Sequence, residues 1–122
     1  MSQIPVEDIY REIGQIVAQF SLLECDKCAT AVFQWLKFHR IEGKLLRIRT
    51  AFGEDYIVSN RLENQGITES ITVNGTHYGV EVQGRVFDNL SSDGLTRGEW
   101  MQDFYCISEQ FILEELEVLE YN

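Results

Sequence analysis

The sequence is short of proline, histidine and basic residues, and no apolar run in it approaches the roughly 20 residues that a membrane-spanning helix needs. It holds one proline, two histidines and three cysteines in 122 residues. An odd number of thiols argues against a disulfide scaffold. The single proline, Pro5, lies far from the thiol pair Cys25/Cys28, so the cis-proline that accompanies a thioredoxin-type redox pair is missing. Lys and Arg number 10 against 20 Asp and Glu, a formal charge of −10. Such a chain repels nucleic acid and anionic lipid, because phosphate binding relies on cations. Excess acid suits solubility, or a basic protein partner. The cations that exist gather in one segment, Lys37, His39, Arg40, Lys44, Arg47 and Arg49, which reads as a solvated face of a helix and strand. Met1 to Pro5 shows no basic region followed by an apolar run, so no secretory signal is visible and a cytoplasmic chain, or a fragment of something larger, is expected. At this length, residues 1–122 are expected to form one domain.

What is present alternates between two periods. Val6, Ile9, Tyr10, Ile13, Ile16, Val17 and Phe20 recur at helical spacing, with Pro5 in the first turn and Glu7 and Asp8 where the helix dipole favours acids. This predicts a helix over about 5–20. After the connection Ser21–Glu24, a second helix is predicted from about Cys25 to His39, with Cys25, Cys28, Ala29, Val32, Phe33 and Leu36 on one stripe. Leu45–Thr50 alternates as a strand, and Asp55–Ser59 as a short one, with 60–70 as loop. Thr76–Val82 and Arg85–Leu90 flank Gln83-Gly84, a hairpin across a two-residue turn. Asn89–Gly94 is rich in turn residues. Thr96-Arg97-Gly98-Glu99 has the form of a capping box, opening a helix through Trp100, Phe104 and Tyr105. Ser108–Tyr121 reads as a last, acidic helix. The order ααββββα, or close to it, predicts an α+β layer fold.

The hairpin makes a geometric statement. If Gln83 and Gly84 are the turn, Gly79 faces Asp88 and His77 faces Leu90. His77, Gly79, Glu81, Val86, Asp88 and Leu90 then share one face of the sheet. Asp88 becomes the diagonal neighbour of His77, about 7 Å away between backbones and within reach of a carboxylate. Gly79, between them, leaves room for the ring. A longer turn would hand the role to Asn89. His39, at a helix C-terminus, is the weaker histidine, since a cation is favoured there for structural reasons.

Cys25-Asp26-Lys27-Cys28 admits several chemistries. Zinc wants four ligands, and only Cys106, His77 and His39 could complete a set, at no recognisable spacing; no metal or cofactor is expected. Buried thiols can also pack as small apolar residues, which suits Cys106 best. The remaining reading is a nucleophile. A thiol at a helix start, near an imidazole that a carboxylate holds, is a physical route to a thiolate. Cys25 stands nearest the helix start, where unpaired N–H groups and the dipole act most strongly. If Asp26 is the N-cap, Cys28 becomes the first-turn thiol instead.

An ordered set of segments supports this reading. Phe20, Glu24-Cys25-Asp26-Lys27-Cys28-Ala29, Glu42-Gly43-Lys44, Asn74-Gly75-Thr76-His77-Tyr78-Gly79-Val80, Val86-Phe87-Asp88-Asn89-Leu90, Asp93-Gly94-Leu95 and Trp100 together resemble the papain-fold toxin 2 domain, over about residues 15–105. That domain occurs in bacterial polymorphic toxins and in small stand-alone proteins, many of them cyanobacterial. The resemblance implies a circularly arranged papain-like core, a Cys-bearing helix packed on a small antiparallel sheet with flanking helices. It implies a Cys–His–Asp/Asn triad in which Cys25 or Cys28 is the thiol, His77 the histidine and Asp88 the acid. It further implies a cysteine peptidase or protein glutamine deamidase acting on a protein substrate through a thioester, with an immunity protein as a partner to look for. Where members often carry a Gly-Asn-Phe-type loop before the cysteine, this chain has Ser21-Leu22-Leu23. Gln19 is an amide upstream of the thiols, late in the first predicted helix. The charge of −10 supports an alternative, an inactive papain-fold module that binds a basic protein.

Overall fold

The computed structural model describes residues 4–121. The reading of the first residues for a leader falls partly on residues 1–3, outside the described ones. Eleven elements follow one another among the described residues: α1 (Val6–Val17), α2 (Cys25–His39), β1 (Gly43–Thr50), β2 (Val58–Ser59), α3 (Asn60–Glu63), β3 (Thr76–Val82), β4 (Arg85–Asp88), β5 (Ser91–Leu95), α4 (Arg97–Gln102), β6 (Phe104–Tyr105) and β7 (Phe111–Leu119). The architecture is α+β. Five strands form an antiparallel sheet in the order β5-β4-β3-β1-β7, and β2 and β6 form a small second sheet. Among the described residues no helix is long and apolar enough to cross a membrane.

The sheet is packed on both faces. Leu45, Tyr78, Val80, Val82 and Phe87 meet α1 through Ile9, Ile13 and Val17, and α2 through Cys28, Ala29, Val32, Phe33 and Leu36. Leu46, Ile48, Val86 and Leu113 meet Trp100 of α4, Phe104 of β6, and Ile57 and Ile71 from the connection between β1 and β3. Each fully buried large side chain contributes roughly 1.5–3 kcal/mol, and Trp100, Ile48 and Leu46 are completely buried. These two layers of contact are what fix the sheet between the helices.

The β3–β4 hairpin has the expected register: Val80 pairs with Phe87, Glu81 with Val86 and Val82 with Arg85. Gln83 (φ 50°) and Gly84 (φ 84°) both take positive φ, the turn geometry whose twist matches two antiparallel strands. The capping box at α4 is complete, Thr96 accepting from the Glu99 N–H and Glu99 from the Thr96 N–H.

Several expectations need correction. Ser108–Tyr121 is not a helix; its core is β7, paired with β1 from Phe111/Thr50 to Leu119/Gly43. The acids that suggested a helix instead answer the cations of β1 and α2. Glu114 meets Arg47 and Arg49, Glu115 meets Lys44, and Glu117 meets Lys37. The basic segment is therefore largely paired rather than simply solvated. Ser91–Leu95, read as turn, is β5, and 60–70, read as loop, opens with α3. The expected strand at 55–59 is only Val58–Ser59, and α4 ends at Gln102, so Phe104 and Tyr105 lie in β6. α1 stops at Val17, and Ala18 to Phe20 form turns onto Gly14, Ile16 and Val17 carbonyls.

Candidate active site

His77 stands opposite Ile48 in the β1–β3 ladder, on the face covered by α4 and β6. Its ring packs 5.1 Å from the Phe104 ring and 5.9 Å from Trp100, centroid to centroid, and is fully buried. Its Nε2 lies 2.8 Å from Asp88 Oδ2. The register makes that reach short, and the hydrogen bond fixes the tautomer, with Nε2 carrying the proton toward the carboxylate. Gly79 makes room for a ring, but the ring is that of Trp100. A Cβ at residue 79 would stand 2.8 Å from Trp100 Cζ2 and 2.9 Å from Val86 Cγ1.

Asp88 is itself buried and heavily bonded. Trp100 Nε1 donates to its Oδ2 at 2.8 Å and the Leu90 N–H to its Oδ1 at 2.9 Å. Burial alone would raise its pKa. The hydrogen bond and charge of His77, with further bonds from Trp100 and Ser91, outweigh burial and hold it below the usual 3.8. Arg61 donates from Nη2 to Ser91 Oγ at 2.8 Å and pairs with Asp103 at 3.2 Å, so a guanidinium stands behind the hydroxyl that supports Asp88. Sequence reasoning did not single out Ser91 or Arg61, and their positions carry no local signal. Trp100 entered as part of the predicted capping-box helix and of the family resemblance, but not as a partner of Asp88, although it sits beside a glycine on the facing strand.

The two helix thiols differ. Cys28 is buried in the core between α2 and the sheet. Desolvation, then the charges of Asp88 and Cys25, push its thiol up to about 12. A thiol held there is protonated at neutral pH and is a poor nucleophile. Cys25 is the first residue of α2 and interacts with the His77 ring. Burial works against an imidazolium, but hydrogen bonding to Asp88, then to Cys25, with both charges, pushes His77 up from 6.5 to about 9. His77 Nδ1 has no hydrogen-bond partner among the described residues. The Cys25 thiol acts on the ring electrostatically without closing a hydrogen bond on that nitrogen.

The turn before Cys25 is tightly built. Glu24 Oε1 accepts from both the N–H and the hydroxyl of Ser21, each at 2.9 Å. Those bonds, the backbone one first, keep its carboxylate below the usual 4.5. The first helical bond runs from Cys28 N–H to Glu24 O, and helix geometry leaves the N–H groups before it without intrahelical acceptors. A cleft of about 180 Å³ opens on this turn, lined by Leu23, Cys25, Asp26, Thr72, Val73 and Tyr78 among others.

The remaining candidates lie elsewhere. Gln19, in the turn after α1, is exposed and donates its amide to Gln15 O of α1, 3.2 Å away. His39 packs at a tilt against Trp35 and edge-on against Phe38 at the far end of α2. Cys106 is buried against Ser108 and the Gln110 carbonyl. All three thiols are free, and among the described residues no group of three or more His, Cys, Asp or Glu is placed to hold a metal.

No curated protein and no solved structure matches this chain. The profile of the family described as Papain fold toxin 2 matches residues 8–105, a span that contains Cys25, Cys28, His77 and Asp88. The chain, with its thiol-bearing helix laid on an antiparallel sheet, belongs to the papain fold toxin 2 family.

Proposed function

We propose that the protein is a cysteine hydrolase that cleaves or deamidates amides of a protein substrate, with Cys25 as nucleophile, His77 as proton carrier and Asp88 as the group that orients it. The observation that carries this reading is the line of side chains from Cys25 to His77 to Asp88, with a cleft opening on Cys25 and both partners sealed beneath it.

The chemistry runs on one shared proton. A raised imidazole pKa favours the pair as thiolate and imidazolium, and the start of α2 favours negative sulfur. The thiolate adds to the amide carbonyl. The resulting oxyanion is stabilised by free N–H groups of the first turn of α2. His77 gives its proton to the departing nitrogen, which leaves as ammonia from a glutamine side chain or as an amine from a peptide or isopeptide bond, and a thioester remains. Water then gives a proton to His77 and adds to the thioester, and the thiolate departs with the acid product released. Asp88 keeps its charge throughout and holds Nε2–H, so that Nδ1 is the nitrogen that exchanges protons.

The test is alkylation by iodoacetamide across pH, with mapping of the labelled cysteine. Cys25 in the wild type should react faster than free cysteine below pH 8, and His77→Ala should remove that advantage. Equal rates for Cys25 and free cysteine, unchanged by His77→Ala, would overturn the reading. Incubation with glutamine-containing and isopeptide-linked proteins, followed by ammonia release and mass, then separates deamidation from cleavage.

A further inference from the structure

Asp88 and Asn89 are neighbours in sequence, yet their side chains serve different parts of the fold. Asp88 turns to His77. The Asn89 amide donates from Nδ2 to two carbonyls of the turn that carries Cys25, Ser21 O at 2.7 Å and Leu22 O at 2.9 Å. Ser21 O also accepts the Glu24 N–H, so the same carbonyl closes the turn and receives the clamp.

We propose that Asn89 is a positioning residue for the nucleophile: it ties the turn before Cys25 to the strand end that holds His77 through Asp88. This rests on the reading of Cys25 as nucleophile given above. Two adjacent residues at the end of β4 thereby fix both partners, and the separation of sulfur and ring is set from one point of the backbone.

The chemistry of the amide supports the assignment. Its orientation follows from its partners, since a flipped amide would set an oxygen against two carbonyl oxygens. Oδ1 is buried with no partner among the described residues. The side chain is therefore placed by what it donates, and an aspartate at this position would repel both acceptors. The turn's own bonds from Ser21 to Glu24 hold its shape but do not anchor it to the sheet. Ser21 is exposed, so water can satisfy its carbonyl when the clamp is removed; the Leu22 carbonyl is part-buried, and thermal unfolding shows what its loss costs.

The experiment uses the full chain with Asn89→Leu, close in shape and without a donor, and Asn89→Ala as the second variant. Thermal unfolding and the pH profile of Cys25 alkylation by iodoacetamide are measured for each. The expected result is a cooperative unfolding transition within a few degrees of wild type, with alkylation at pH 7 slowed roughly tenfold or more, the scale that small misplacements produce. The pH dependence of the rate should approach that of free cysteine measured alongside. A fast wild-type thiol with an unchanged profile in both variants overturns this proposal alone. Loss of cooperative unfolding in both variants overturns it in favour of a purely structural role. A wild-type Cys25 no faster than free cysteine overturns it together with the reading on which it rests.

Discussion

Trp100 and His77 bond to the same carboxylate oxygen: Trp100 Nε1 and His77 Nε2 each lie 2.8 Å from Asp88 Oδ2. Two nitrogens from different elements thus converge on one atom, and α4 is tied to the chemistry of β3. The indole bond favours the charged carboxylate, and that charge in turn favours a protonated imidazole.

Replacing Trp100 by Phe keeps most of the packing and deletes the donor. A hydrogen bond to a charged group contributes about 1.5–3 kcal/mol, and Trp100→Phe should lose that much in denaturant unfolding. Asp88 should also bind its proton at higher pH than in wild type. A carbon-13 titration of the Asp88 carboxyl in both proteins checks the second effect, and an unchanged midpoint would contradict it.

Stability should depend on pH through the same pair. The folded His77 value, about 9, lies above 6.5, so its contribution is complete below about pH 6.5 and fades as pH rises through 9. Asp88 shifts the other way: its contribution is present above pH 4 or so and fades as pH falls through its depressed value. Unfolding free energy should therefore decline on the alkaline side by something on the order of 3 kcal/mol, apart from other groups. In Asp88→Asn that alkaline decline should largely vanish. Urea titrations between pH 6 and 10 measure it.

The thiols should separate cleanly. Cys28→Ala empties a core position and is expected to cost roughly 1–2 kcal/mol, while leaving the rapid alkylation in place. Cys25→Ala should abolish rapid alkylation and change stability less, because Cys25 is at the helix start and slightly exposed, at 7%. Rapid labelling that persisted in Cys25→Ala and disappeared in Cys28→Ala would reverse the assignment of the nucleophile.

The parts of this molecule that local pattern determines were legible in the sequence. The α2 boundaries, the Gln83-Gly84 turn, its register and the capping box at Thr96 all depend on neighbours within a few residues. From the register came the His77–Asp88 approach. What escaped was set by distant partners. Glu and Leu in 111–119 suit a helix in isolation, but Arg47, Arg49 and Lys44 across the ladder make them a strand. Ser91-Ser92-Asp93-Gly94 has turn composition, yet β5 pairs with β4 at Val86/Leu95 and Asp88/Ser91. The small residue at 79 was visible, but not that an indole from α4 would fill the space. Asn89 was weighed only as a substitute for Asp88. Its actual partners are backbone carbonyls 67 and 68 residues away, which side-chain patterns do not encode.

β7 has a consequence for how the chain can be cut and how it folds. The family match ends at residue 105, while β1 finds its outer neighbour only at Phe111–Leu119. During synthesis, β1 must wait for some sixty further residues before that side is covered, a non-local closure of the kind that slows folding. A fragment trimmed to the matched span would present β1 as a raw edge open to other chains, and Arg47 and Arg49 would lose the carboxylate they share. Recombinant versions should therefore retain the segment through Leu119, since a shorter one invites self-association.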